Sequence, residues 1–279
     1  MKRALAFYRP EAARKILAVL LFLLFWGCAQ GPTSDVAPTV TAIPLAALPQ
    51  GCSARGEIIH ADLPEPARGY SYSYRIYLPP CFSAEGVARY PVLYLVPGRS
   101  SSPDSWLAAG LPGEVDRLIL AGEIPPLIIV VAENTDNDPM AETIYNELLS
   151  VVESQYPIAD DRRYRAAAGG SLGGIAAYRL AFQHPETFSS AGIFGAGAIS
   201  GEEPQIRAWL SRMDAANRTR VFMNSGEQDP LMLERARVMQ SILDEAGIEN
   251  RLYVDDGGHH YSYWVPNFEM YLKWLAEGW

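Results

Sequence analysis

The chain has 279 residues, 49% hydrophobic and 20% charged, a globular composition rather than that of a disordered tail or a fibre. Its 23 basic residues against 32 acidic ones give a formal net charge of -9, which argues against a nucleic-acid partner, since that calls for a basic face. The length allows one domain with a sizeable core.

Lys2, Arg3, Arg9, Arg14 and Lys15 make the N-terminus positive, and an unbroken apolar run over 16–26 leads into Gly27-Cys28. This is the layout of a secretory signal peptide. The run falls short of the ~20 apolar residues that a membrane-spanning helix needs. Leu24-Phe25-Trp26-Gly27-Cys28 also resembles a bacterial lipobox, in which Cys28 is lipidated and becomes the new N-terminus. A plainly cleaved signal, with Gly27 and Ala29 as its small residues, and an uncleaved anchor are the alternatives. The expectation is an exported protein, held on the extracytoplasmic side by lipid at Cys28 or else secreted. Residues 29–51 are rich in Pro, Thr, Ala and Ser, carry no charge after Asp35, and read as a tether. The folded domain is then 52–279.

Within it, strands and helices alternate after an opening hairpin. Strands are predicted over 57–60 and 70–78, the second with large residues alternating from Tyr70 to Ile76 as on a half-exposed sheet. Short apolar runs at 91–96 and 127–131 read as buried strands, separated by a helix over 115–120. A helix over 140–155 precedes a strand at 163–168. Helix and strand then alternate through 175–182, 188–194, 204–213, 220–224, 231–246, 250–254 and 263–276. This spacing implies an α/β fold with a mostly parallel sheet covered on both faces. Cys52 precedes the first strand and Cys81 follows the second. If those strands pair antiparallel, the two thiols meet and a disulfide forms; otherwise they are unrelated buried thiols.

The strongest chemical signal is Gly169-Gly170-Ser171-Leu172-Gly173, which matches G-x-S-x-G between a buried strand and a helix. Such a turn exposes Ser171 on strained backbone and aims the Leu172 amide at a developing oxyanion. The glycine spacing fits neither phosphate-binding pattern, G-x-x-x-x-G-K-[ST] or G-x-G-x-x-G. A serine hydroxyl needs a base, and in this fold the partners follow in the order Ser, acid, His. His60 and His184 precede any acid partner, and His184 is read as a helix C-terminal cap. His259 and His260 follow the last strand in Asp255-Asp256-Gly257-Gly258-His259-His260. The glycine pair lets the His259 backbone approach closely, so His259 is taken as the base and His260 as rim. Asp229, in Ser225-Gly226-Glu227-Gln228-Asp229-Pro230, is the orienting acid, with Glu227 in reserve. Asp229 also stands where a cap for the following helix would stand.

These stretches, with Tyr74-Arg-Ile-Tyr-Leu-Pro79, Tyr90-Pro-Val-Leu-Tyr-Leu-Val-Pro-Gly98 and Gly257-Gly-His-His-Tyr-Ser-Tyr-Trp264, resemble the esterase D-like family of α/β-hydrolases. That family includes feruloyl and acetyl xylan esterases, enterochelin esterases, S-formylglutathione hydrolase and mycolyltransferases. The resemblance spans residues 57–274. It implies the α/β-hydrolase fold, supports His259, and implies that the Arg99 amide is the second oxyanion donor. Trp106 and Trp264 fall where relatives often carry tryptophans beside the site, and so are expected at the substrate. Pro97-Gly98 replaces the His-Gly of many relatives. Gly98 is expected to supply the backbone freedom that turns the Arg99 amide inward. The Arg99 side chain reads as a solvated loop cation, with contact to an anionic substrate as the other reading. No H-E-x-x-H motif or Cys/His cluster implies a metal, and no cofactor is implied. The expected function is hydrolysis of a small-molecule or carbohydrate ester, with the membrane met only through the lipid anchor. An acyltransferase using the same triad and a non-catalytic binding domain on a tether are the rivals.

Overall fold

The computed structural model describes residues 43–63, 71–134 and 140–279. The leader and Cys28 lie outside the described residues. Among the described residues, no helix is long and apolar enough to cross a membrane.

Eight strands form one sheet: β1 (Glu57–Leu63), β2 (Tyr72–Leu78), β3 (Val92–Val96), β4 (Ile128–Val131), β5 (Arg165–Gly170), β6 (Ser190–Phe194), β7 (Arg220–Gly226) and β8 (Asn250–Asp255). Their spatial order is β1-β2-β4-β3-β5-β6-β7-β8. The β1–β2 and β2–β4 pairs are antiparallel, and every later pair is parallel. This is the expected mostly parallel sheet with an antiparallel N-terminal hairpin.

Both faces of the sheet are covered, which is why β3 and β4 are unbroken apolar runs rather than alternating ones. In β3, Val92, Tyr94 and Val96 join one core, and Leu93 and Leu95 join the other. The first core is closed by α3 (Met140–Thr143), α4 (Leu149–Gln155), α5 (Leu172–Gln183), α6 (Glu203–Leu210) and α7 (Pro230–Glu245). The second is closed by α1 (Asp104–Ala108), α2 (Leu111–Leu120) and α8 (Tyr261–Ala276). The predicted helix over 140–155 is continuous in space, but its middle, Ile144–Leu148, is a π-helical turn.

Three findings depart from the sequence reading. The five-residue helix α1 was not expected; it ends against Gly110 at φ 98 and is fixed by the buried Trp106. The strand predicted to begin at 163 begins at Arg165, because Arg162–Tyr164 forms a 3-10 turn capped by the Asp161 side chain. The C-terminal part of the predicted tether is docked on the domain. Leu45 pairs with Arg89, the Ala46 amide donates to the Arg89 carbonyl at 2.7 Å, and Ala46 is buried. Apolar Leu45, Ala46 and Leu48 give this stretch something to bury, so the fold begins before residue 52.

The hairpin register sets Glu57 opposite Leu78, which brings the segments before β1 and after β2 to the same end. Cys52 and Cys81 form a disulfide there, with Cα atoms 6.2 Å apart.

Candidate active site

The parallel strands end at one edge, and the chemistry-bearing loops emerge there. Ser171 lies between β5 and α5 at φ 54 and ψ −121, a conformation that a non-glycine residue adopts only when its surroundings force it. The forcing contacts are backbone ones. A Cβ added to Gly173 would lie 2.1 Å from the Val96 carbonyl oxygen, and one on Gly169 would lie 2.4 Å from the Gly173 carbonyl. The Ser171 amide donates to the Phe194 carbonyl of β6 at 2.8 Å, which ties the turn to the neighbouring strand.

Asp229 follows β7 and opens α7, but its side chain makes no capping bond to that helix. One carboxylate oxygen, Oδ2, instead lies 2.6 Å from Nδ1 of His259. Glu227, the reserve acid, is exposed and makes only backbone contact with this region, through its amide to the Asp255 carbonyl at 2.9 Å. The acid loop and the histidine loop are laced together. The Gln228 amide donates to the Gly257 carbonyl at 2.9 Å, and Gln228 Nε2 donates to Asp256 at 2.6 Å. Beneath them Tyr263 accepts a hydrogen bond from Asn224 at 3.0 Å and donates to the Asp255 carboxylate. Burial, and then the bond to Asp255, push the Tyr263 hydroxyl above its ordinary pKa.

A cavity of about 350 Å³ is lined by Ser171, His259, His260, Arg99, Tyr261 and Trp264, among others. His259 and His260 thus share a wall but differ in partner: His260 is exposed, and its Nδ1 lies 2.9 Å from the Ser262 hydroxyl. His184, as expected, caps the C-terminus of α5, and its ring stacks on Tyr145. His60 is exposed on β1.

Both tryptophans are buried, and they differ in whether they border the cavity. Trp264 lines the cavity and packs edge-on to the His259 ring, with centroids 5.1 Å apart. Trp106 does not reach the cavity, contrary to the sequence expectation. It is fully buried behind Tyr261, and its indole N–H is directed at the Val96 carbonyl, 3.4 Å away. Its large apolar ring fills the joint between α1 and α8 rather than meeting solvent.

The loop after β3 carries Gly98 and Arg99. The Asn134 side chain donates to the Pro97 carbonyl at 3.0 Å and the Gly98 carbonyl at 2.7 Å, and the Gly98 amide donates to the Tyr261 hydroxyl at 2.8 Å. The left-handed residue of this loop is Ser100, at φ 54, not Gly98. A Cβ on Gly98 would meet nothing closer than 3.5 Å, so the freedom expected of Gly98 is not what shapes the loop. Neither the Arg99 amide nor the Leu172 amide has a hydrogen-bond partner among the described residues. Sequence reasoning missed Asn134, Tyr261 and Tyr263 as parts of this region. Tyr261 and Tyr263 stood inside the quoted Gly257–Trp264 stretch, but nothing in the pattern assigned them partners. No group of three or more metal-ligating side chains occurs among the described residues.

The sheet order, the strained turn at Ser171 and the loop positions define the α/β-hydrolase fold. Solved structures share it. A ferulic acid esterase superposes with TM-score 0.71 at 22% identity, covering 81% of this chain and all (100%) of that one. A feruloyl esterase module from Clostridium thermocellum, solved with sinapinate, gives TM-score 0.67 at 16% identity over 84% and 94% of the two chains. S-formylglutathione hydrolase from Staphylococcus aureus gives 0.65 at 17% identity over 83% and 100%. In sequence, an endo-1,4-beta-xylanase/feruloyl esterase of Xylanibacter ruminicola is 31% identical over 128 residues, covering 41% of this chain and 18% of that protein. The chain thus spans less than a fifth of that relative's length. Residues 67–275 match the family model described as "Putative esterase", and the chain belongs to that esterase family.

Proposed function

We propose that the chain is a serine carboxylesterase with Ser171 as nucleophile, His259 as general base and Asp229 as the orienting acid. The observation that carries this reading is the 2.6 Å contact from Asp229 to Nδ1 of His259, on a cavity that Ser171 also lines. A carboxylate on Nδ1 fixes the tautomer that leaves Nε2 free to accept a proton, and it stabilises the imidazolium that results.

The reaction then runs in two halves. The Ser171 oxygen forms a bond to the ester carbonyl carbon while its proton passes to His259. The tetrahedral oxyanion is held by the amides of Leu172 and Arg99, which have no other partner among the described residues. Each such donor is worth on the order of 10²–10³ in rate. The carbon–alkoxide bond breaks, His259 returns the proton to the leaving alcohol, and a water activated by the same imidazole releases the acid. Because the solved neighbours include a ferulic acid esterase and a feruloyl esterase module holding sinapinate, hydroxycinnamoyl esters are among the substrate candidates.

We further propose that the enzyme works outside the cytoplasm. The disulfide between Cys52 and Cys81 persists in oxidising compartments, and the cationic and apolar leader supplies the export signal. Lipidation at Cys28 would tether it. Partition into detergent phase, lost in Cys28→Ser, supports the tether; a mature N-terminus downstream of Cys28 excludes it.

The catalytic reading is tested by turnover of a chromogenic short-chain ester by the wild-type protein and Ser171→Ala. Activity abolished by the substitution in a folded protein supports the reading; equal activity in both refutes it.

A further inference from the structure

The cavity wall has a charge character opposite to that of the chain. The protein carries a formal net charge of -9, yet among the described residues no aspartate or glutamate lines this cavity. The Asp229 carboxylate is engaged by His259. What the wall offers is donors. Arg99 is exposed and has no ion-pair or hydrogen-bond partner for its guanidinium among the described residues. The Tyr261 oxygen already accepts the Gly98 amide at 2.8 Å, so its own O–H is left to donate, and no described residue accepts it. Other arginines are ion-paired, among them Arg75 to Asp104, Arg165 to Glu153, Arg179 to Glu202 and Arg220 to Glu249, whereas Arg237 and Arg251, like Arg99, have no ion pair among the described residues.

Arg99 is also held in place from below. Asn134 clamps the two preceding carbonyls, and Ser100 beside it is fixed at φ 54. A guanidinium on a pinned backbone loses less freedom on binding than one on a loose loop. Because its amide adjoins the candidate oxyanion site, its side chain is within a few bonds' reach of the scissile carbonyl. Arginine presents a planar fork of N–H donors that matches a carboxylate.

Resting on the esterase reading above, we propose that the preferred substrates are esters that carry a carboxylate near the scissile bond, and that Arg99 is the residue that recognises it. The carboxylate sits on either the acyl or the alcohol side, and matched substrate pairs distinguish the two. One pair is the 4-nitrophenyl hemisuccinate and its methyl ester, with the charge on the acyl side. The other is 4-acetoxybenzoate and its methyl ester, with the charge on the alcohol side.

The full-length protein is assayed on all four esters, with Arg99→Gln, Arg99→Lys and Arg99→Glu beside it. In at least one pair the wild-type kcat/KM favours the charged ester, and Arg99→Gln lowers the charged-to-neutral ratio by about tenfold, the scale of one charge-assisted hydrogen bond. Arg99→Lys keeps part of the preference, Arg99→Glu inverts it, and about 1 M salt compresses the wild-type ratio toward that of Arg99→Gln. A wild-type ratio near one in both pairs, or a preference that Arg99→Glu leaves unchanged, overturns the proposal. Ser171-dependent turnover of the neutral esters is read in the same assay. Its absence would instead sink the esterase reading, so the two failures are separate.

Discussion

One glycine-containing turn carries Ser171 and a second carries Gly98, and different physics holds each. The turn that carries Ser171 is fixed by backbone packing: side chains at Gly169 or Gly173 would collide with main-chain atoms at 2.4 and 2.1 Å. The turn that carries Gly98 is fixed by side chains from afar, Asn134 from the loop after β4 and Tyr261 from the start of α8. Around Gly98 itself there is ordinary space. The first turn is therefore written locally and tolerates no change in its glycines. The second is assembled by tertiary contacts and should tolerate change at its glycine but not at its clamps.

Removing the chemistry while leaving the backbone alone has the largest expected effect. Ser171→Ala and His259→Ala should each lower kcat on an activated ester by about 10⁴–10⁶-fold, and Asp229→Asn by on the order of 10⁴-fold, with unchanged circular dichroism. His260→Ala should change turnover little. If His260→Ala cripples the enzyme while His259→Ala does not, the assignment of the base is wrong.

Next in size is the backbone turn. Gly173→Val places a side chain against the Val96 carbonyl, and neither partner can move without breaking the β3–β5 pairing. A loss of more than about 3 kcal/mol in unfolding free energy, or failure to fold, is expected. A denaturant melt close to wild type would show that the turn is not held by packing.

The clamps come third. Asn134→Ala removes the donor to two carbonyls, and Tyr261→Phe leaves the Gly98 amide without its acceptor. Each should cost about 1–3 kcal/mol in local stability, read as faster amide exchange over residues 98–101 and lower kcat/KM. Smallest is Gly98→Ala, which should melt within about 1 kcal/mol of wild type and keep most of its activity, because the added methyl meets only normal contacts. A severe effect of Gly98→Ala would return that glycine to the role its sequence context suggested.

This contrast also explains what was legible in the sequence. Ser171 and its turn could be read because glycine spacing records a local steric requirement. The meeting of His259 with Asp229 could be read because chain order in this fold confines them to two loops. The Gly98–Tyr261 bond joins residues 163 positions apart, and the Asn134–Gly98 bond joins residues 36 apart; neither leaves a mark in local pattern. Trp106 was expected at the substrate because a tryptophan stands there in relatives, but whether a ring faces a cavity or a core depends on how α1 packs, and α1 itself was invisible at five residues. The docked end of the tether escaped for a similar reason. Leu45 and Ala46 are too few to form a periodic pattern, and their pairing with Arg89 is non-local.

Labelling with a serine-directed phosphonate, followed by intact-mass and peptide mapping, tests Ser171 as the nucleophile. One adduct per chain, located on Ser171, forming in step with the loss of esterase activity and much more slowly in His259→Ala, is the predicted result. Esterase activity that survives full labelling of Ser171, or an adduct on another serine that tracks the inactivation, would contradict the account.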